Sequence, residues 1–414
     1  MTRRRVVVTG LGVVSPVGQT ANDFFDNLVR ARSGIGLVPD AMQSSGEPLV
    51  AGQVAFDPAH YWAPHVSAQL DRATQFALVA ARQAIDDAAL SLSEEESFRA
   101  GVYWGTGLGG ATSIEDSYRL LFGSQPPRIR PTSVVMGMSN AAAAQISITH
   151  GFRGPMLNIA TACSSSAAST GEAYRAIQAG HADVAVAGGS EALITRGNIL
   201  AWDAMRALAH ADPVDPSRSC KPFSLNRTGI VLGEGAAATI LESAEHAERR
   251  GAHIYAEVAG YGNASDARHI SKPDASGQVR TIRLALEDAG LTPDAIEYVN
   301  AHGTATQVGD VVETDGLKQA FGAHARRLCV SSTKALHGHL MGGAGAIEFL
   351  AALLALQHNV VPPTAHLDVP DPNCDLDYVP TLAREVPLSA VMSNSFGFGG
   401  MNAVLIASRY REAR

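Results

Sequence analysis

Short apolar runs rich in valine, isoleucine and alanine alternate along the chain with longer stretches whose apolar residues recur at helical spacing. RVVVTGLGVVSP (5–16) reads as a strand, a glycine turn and a loop, and QFALVAARQAIDDAAL (75–90) as a helix. The same order returns downstream. IYAEVAGYGNASD (254–266) matches the first run, and TIRLALEDAGLTPDAI (281–296) matches the helix down to an acidic pair near its end. GVYWGTGLGG (101–110) and EYVNAHGTAT (297–306) each read as a short strand and a small-residue turn. MLNIATACSSSAASTGEAYRAIQAG (156–180) runs strand, cysteine, long helix. RLCVSSTKALHGHLMGGAGAIEFLAALLALQ (327–357) runs strand, lysine/histidine loop, long helix. Two diverged copies follow, an N-terminal half 1–250 and a C-terminal half 251–414. Alternating strands and helices predict an α/β fold with parallel or mixed sheets covered by helices. Packing the copies about a pseudo-twofold axis would bring matching turns together, placing Cys163 near the loops at 302 and 334–339.

Composition narrows the classes. Of 414 residues, 46% are apolar and 17% charged, so a large core is expected and disorder is not. The net charge is −8 with no basic tract, which argues against nucleic acid as a main partner. Four widely spaced cysteines (163, 220, 329, 374) suggest neither a zinc site nor a disulfide framework, and a reducing compartment is expected. The basic, apolar start MTRRRVVVTGLGVV imitates a signal peptide. Its β-branched residues and two glycines fit a first strand better. FLAALLAL (349–356) is too short to span a membrane and follows Glu348, so it reads as a core helix. A cytoplasmic protein without membrane contact is expected.

Cys163 sits between a predicted strand and a predicted helix, in ATACSSSAAS (160–169). A thiol at a helix start feels the positive end of the dipole, which lowers its pKa. The small neighbours leave the sulfur accessible, and N–H groups there can point at an oxyanion. The alternative, an inert buried thiol, is kept for Cys220, Cys329 and Cys374. His302 follows the strand IEYVN, and His339 lies in TKALHGHLMGGAGA, with His337 as its rival. Most histidines are surface or satisfied core residues, but these two lie on duplicated loops that should meet Cys163. Lys334 and Glu313 are either a solvated pair or, in the same pocket, set its charge and orient the histidines. GTGLGG (105–110), which contains Leu108, fits GxGxxG. No ribose-binding acid follows at the expected distance, so a tight turn lining the pocket is expected rather than a dinucleotide site.

The motifs VVVTGLGVVSPVG, FRGPMLNIATACSSS, DVAVAGGSEA, KPFSLNRTGIVLGEGA, NAHGTATQVGD, STKALHGHLMGGAGA and NSFGFGGMN, in this order, resemble the β-ketoacyl-acyl carrier protein synthases. These are condensing enzymes of the thiolase-like superfamily, and the type II elongating synthases look closest. The resemblance covers essentially the whole chain. It implies a five-layered αβαβα fold of two similar halves, usually dimeric. It implies decarboxylative condensation of malonyl-acyl carrier protein with an acyl chain held as a thioester on Cys163. His302 and His339 would be the catalytic pair, and Lys334 the loop lysine, interacting with Glu313. Thr304 and Thr306 would face the phosphopantetheine arm. Phe398 would be the gate, its N–H forming an oxyanion hole with that of Cys163. No metal and no separate cofactor is implied, since substrates ride on the carrier protein's phosphopantetheine.

Some positions depart from the usual elongation pattern. Met401 stands where the housekeeping type commonly has threonine. RPTSVVMGMSNAAAA (130–144), which includes Ser133, is rich in small residues where aromatics and proline are common. A reshaped acyl tunnel would follow, so fatty acid, polyketide and polyene synthesis all remain open. Arg128, Arg130 and Arg206, with Arg72, are candidates for docking the acidic carrier protein, against the alternative of ordinary surface arginines. A degradative thiolase would want a second cysteine near SFGFGGMNAV, which has none. A chain-length partner would typically lack the nucleophile. The expected assembly is a homodimer, or a heterodimer in which this chain is the active ketosynthase beside a chain-length-factor-like subunit.

Overall fold

The computed structural model of the chain describes residues 3–39, 42 and 48–412. Ten strands form the main sheet: β1 (Val6–Val14), β2 (Ala100–Gly105), β3 (Met156–Ile159), β4 (Val184–Glu191), β5 (Gly235–Ser243), β6 (Ala256–Ser265), β7 (Tyr298–Asn300), β8 (Cys329–Ser331), β9 (Ala390–Gly397) and β10 (Met401–Ser408). Their spatial order is β8-β7-β9-β10-β6-β1-β5-β4-β2-β3. Read inward from either edge, each half runs third, second, fourth, fifth, first strand. The directions repeat as well. In each half the outer three strands are parallel, and the last two pairings are antiparallel. The halves join where Val6–Val8 pairs antiparallel with Ala256–Val258. The fold is therefore the duplicated thiolase-like one, with mixed rather than purely parallel sheets.

Four helices complete the layers: α1 (Arg72–Asp87), α2 (Ser165–Gln178), α3 (Ala275–Ala289) and α4 (Ala344–His358). α1 covers the outer face of β1 and β5, and α3 covers the equivalent β6 and β10. α2 and α4 pack against each other between the two half-sheets, which makes five layers. The middle pair is built of small residues. A Cβ on Gly345 would lie 2.6 Å from the Ala167 Cβ, so glycine there permits the close approach. In exchange the Ala346 N–H donates to Ser166 Oγ at 2.9 Å, tying one half's central helix to the other's. The 341–358 stretch is apolar and long enough to cross a membrane by composition, but 89% of it is buried inside the protein, as a core helix should be.

Candidate active site

The β3–α2 junction carries Cys163. Ala162, immediately before it, holds a left-handed backbone at φ 53°, a strained conformation for a residue with a side chain. The three serines behind the cysteine are fully buried and occupied. Ser164 Oγ donates to the Thr161 carbonyl (2.8 Å) and Ser165 Oγ to that of Ala162 (2.6 Å), while Ser166 Oγ accepts from α4. They brace the turn and the first turn of α2.

The equivalent loops of the second half bring the histidines. The ligating atoms of Cys163, His302 and His339 lie within 4.8 Å of one another, close enough to share a reacting group or to ligate a soft cation together. The imidazole rings stand edge to face, with centroids 5.3 Å apart. Each ring has its Nδ1 engaged by a donor. Lys334 Nζ lies 3.5 Å from His302 Nδ1, and the Met341 N–H donates to His339 Nδ1 at 3.2 Å. The proton of each neutral ring is thereby placed on Nε2. His339 Nε2 is buried and has no partner among the described residues. Burial, then the Lys334 charge, holds both histidines well below their ordinary value, so they are neutral donors. His337 is not part of this group. Its Nδ1–H donates to the Gly338 carbonyl (2.7 Å), and its Nε2 meets Thr333 Oγ1 (3.0 Å).

One expectation is refined and another corrected. The salt bridge of Lys334 is with Glu348, both fully buried, and its charge acts on Glu313 from beyond salt-bridge distance. Glu313 itself accepts the backbone N–H groups of His302 (2.8 Å) and Gly303 (2.7 Å), so it shapes the histidine loop. The charge of Lys334 needed a buried counter-ion, and Glu348 on α4 is the carboxylate that faces it. A lone glutamate inside an otherwise apolar helix was the available signal. Cys163 was expected to have a lowered pKa, yet burial pushes its thiol up to about 11. The N–H of Phe398, Lys334 and the N–H of Cys163 pull the other way and are outweighed.

A cavity of about 300 Å³ opens onto Cys163, His302 and His339. Thr304, Thr306, Phe398, Trp202, Arg206 and Lys272 are among its walls. Trp202 stacks on Phe398 at 5.9 Å between centroids. Thr304 and Thr306 share a 3.1 Å hydrogen bond. Their loop is clamped from behind by the buried Arg227, which donates to the carbonyls of Thr306 (2.9 Å) and Gln307 (2.7 Å) and pairs with Asp371 (2.6 Å). Leu108, Ser133 and Met401 are not among the lining residues. Ser133 instead bonds Ser117 Oγ at 2.8 Å, and Met401 opens β10 with its side chain largely exposed. Among the docking candidates, Arg206 is exposed at the cavity, and Arg128 and Arg130 are exposed away from it. Arg72 is committed elsewhere, to a two-pronged bond with the buried Glu234.

GTGLGG is a turn, as expected, but it does not line this cavity through Leu108. The N–H groups of Gly107 (2.6 Å) and Leu108 (3.3 Å) point at the buried carboxylate of Glu191, as does Thr106 Oγ1 (3.2 Å). The anion that such a nest attracts comes from the protein itself.

A cysteine backed by two backbone N–H groups and faced by two neutral imidazole donors, in a duplicated five-layered fold, defines a thiolase-like condensing acyltransferase. Family models agree: "Beta-ketoacyl synthase, N-terminal domain" matches residues 3–247, and "Beta-ketoacyl synthase, C-terminal domain" matches 255–368. The chain is 42% identical to 3-oxoacyl-[acyl-carrier-protein] synthase 2 of Coxiella burnetii and 41% identical to that of Synechocystis, over 99% of each chain. Among solved structures, a type II polyketide ketosynthase in complex with its acyl-carrier protein, bound to the hexaketide, is 34% identical with a TM-score of 0.91. The comparison covers 99% of this chain and 100% of that one. The ishigamide ketosynthase/chain length factor is 33% identical with a TM-score of 0.90, over the same shares. The chain belongs to the β-ketoacyl synthase family, and it is a condensing enzyme.

Proposed function

We propose that this enzyme condenses malonyl-acyl carrier protein with an acyl chain carried on Cys163, with residues 1–250 supplying the nucleophile and 251–414 the histidines. The observation that carries the reading is the meeting of Cys163 Sγ with two Nε2–H donors whose Nδ1 atoms are already engaged. Cys163 takes the acyl group from its carrier, and the carrier's thiol leaves with the proton. Malonyl thioester then binds with its carbonyl oxygen toward His302 and His339 Nε2. Loss of CO2 leaves an enolate whose charge those two N–H groups hold. The enolate carbon attacks the acyl-cysteine carbonyl, and the oxyanion is held by the N–H groups of Cys163 and Phe398. Collapse expels the Cys163 thiolate and releases a product two carbons longer. Lys334 and Glu313 act by fixing the histidines. Thr304, Thr306 and Phe398 contact the substrate arm, and Arg206 contacts the carrier protein. The chemistry draws on no redox cofactor, because the thioester activates both partners.

The relatives' names support a fatty-acid elongating role, and the solved neighbours support a polyketide one. Two features of the surface support a dimer. Strand β3 is an open sheet edge, and Met156 and Leu157 on it are exposed. Ile148 (75% exposed), on the helix packed against it, and Phe122 (80%) and Val134 (74%), on the helices next along, add exposed apolar side chains. A homodimer, or an active subunit beside a chain-length-factor-like partner, would cover them. The deciding experiment is mass spectrometry after incubation with acyl-carrier proteins of graded chain length and unsaturation. An acyl adduct on Cys163, lost in Cys163→Ala, is expected. An adduct on another residue, or none with any donor, would overturn the proposal.

A further inference from the structure

Glu191 ends β4 in the first half and is completely buried. Its carboxylate accepts four hydrogen bonds and faces no cation within hydrogen-bonding reach among the described residues. Three donors belong to its own half, at Thr106, Gly107 and Leu108. The fourth is the Gly342 N–H, at 3.0 Å, from the second half. The contact leaves no room for side chains. A Cβ on Gly342 would lie 2.1 Å from the Gly107 nitrogen and 2.6 Å from Glu191 Oε2. A Cβ on Gly107 would lie 2.7 Å from the same oxygen. Two glycine motifs that the condensation chemistry leaves unexplained thus meet on one carboxylate.

The residue before Gly342 is Met341, whose N–H holds His339 Nδ1. Met341 pays for that geometry with a left-handed backbone, φ 44°. Such a turn persists only when its surroundings over-determine it, and the next peptide N–H is the one pinned by Glu191. We propose that Glu191 is a positioning residue for His339. By fixing Gly342 it keeps the Met341 N–H on Nδ1, and so keeps the His339 proton on Nε2, facing the substrate.

The inference rests on His339 serving decarboxylation, and the test separates the two. Glu191→Gln keeps the size but replaces one acceptor oxygen with an NH2 donor, which in either amide orientation must face a backbone N–H, those of Gly107 and Gly342 or that of Leu108. Nitrogen-15 histidine spectra, assigned with His339→Gln, read the tautomer directly. Malonyl decarboxylation and Cys163 acylation are measured on the same samples. In Glu191→Gln the Nε2–H share of His339 should fall. Decarboxylation should drop by about tenfold to a hundredfold, the usual effect of losing an outer orienting partner, while acylation holds within about twofold. If Glu191→Gln does not fold, Glu191→Asp, too short to span both turns, should give the same pattern. An unchanged tautomer, or an equal loss of acylation and decarboxylation, overturns the assignment. Undiminished decarboxylation in His339→Gln would instead overturn the role of His339.

Discussion

The reactivity of Cys163 offers the sharpest test of the site's electrostatics. The helix start and Lys334 favour a thiolate, whereas burial at the foot of the cavity favours the thiol, and burial wins with a pKa of about 11. At about pH 7.5 only about 3 in 10,000 sulfurs would then be ionised, against about 3% for an ordinary thiol near 9. A more basic thiolate is intrinsically more nucleophilic, by about six- to tenfold over two pKa units. The two effects combine to make alkylation only about ten- to fifteenfold slower than for an unperturbed cysteine of equal access. The rate therefore distinguishes the cases poorly, but its slope against pH distinguishes them well. Iodoacetamide labelling of the acyl-free enzyme, followed on the Cys163 peptide, should rise about tenfold per pH unit from about pH 7 to about pH 9.5. Cys220, buried outside the cavity with its thiol pushed up to about 12, serves as an internal reference. A labelling rate that levels off below about pH 9 would mean that the helix start and Lys334 outweigh burial, and would refute the reasoning.

Replacing only one member of the Lys334–Glu348 pair should cost about 3–5 kcal/mol in urea unfolding, whereas Lys334→Met/Glu348→Leu together should be nearly neutral; a double-variant cost equal to the sum of the two single costs would show that the pair is not coupled. His302 and His339 have folded pKa values below the unfolded 6.5, so each stays neutral while the unfolded chain takes up protons. Their contribution to stability is lost as pH falls below about 6.5, and they should add no acid limb to malonyl decarboxylation near that pH. In the double variant, loss of the cation should move their protonation upward, which the pH profile of residual activity would show. Gly345→Val should destabilise the protein by about 1–3 kcal/mol or more, by forcing α4 off Ala167; unchanged unfolding would contradict the close approach.

The duplicated α/β fold was legible because both copies keep the same sequence of apolar periods, so strand order in one half could be read against the other. Cys163, His302 and His339 were legible because each sits where a predicted strand gives way to a turn of small residues. The carboxylates were not. Glu313 and Glu348 both lie on helices beside Lys334, and nothing in their spacing says which of them turns toward the amine. The thiol's pKa was misjudged for a related reason. Sequence shows a helix start, whereas burial depends on residues distant along the chain that pack around it, Leu193, Ile199, Leu208 and Met341 among them. Leu108, Ser133 and Met401 were placed at the pocket by motif neighbourhood, but they are not among its lining residues, although Gly400 and Asn402 on either side of Met401 are.

The GTGLGG turn has a consequence for what this protein excludes. A GxGxxG nest invites phosphate, and this one is already filled by a carboxylate on a rigid strand of the same molecule. A tethered ligand competes at an effective concentration of at least about millimolar, and it is never diluted. Free nucleotides would have to displace it and also part the two halves at Gly342. Truncation in Glu191→Ala would convert the nest into a vacant receptor with four convergent donors, sized for acetate, the fragment removed. Chemical rescue by that anion becomes conceivable at a place where the native chain admits no ligand at all.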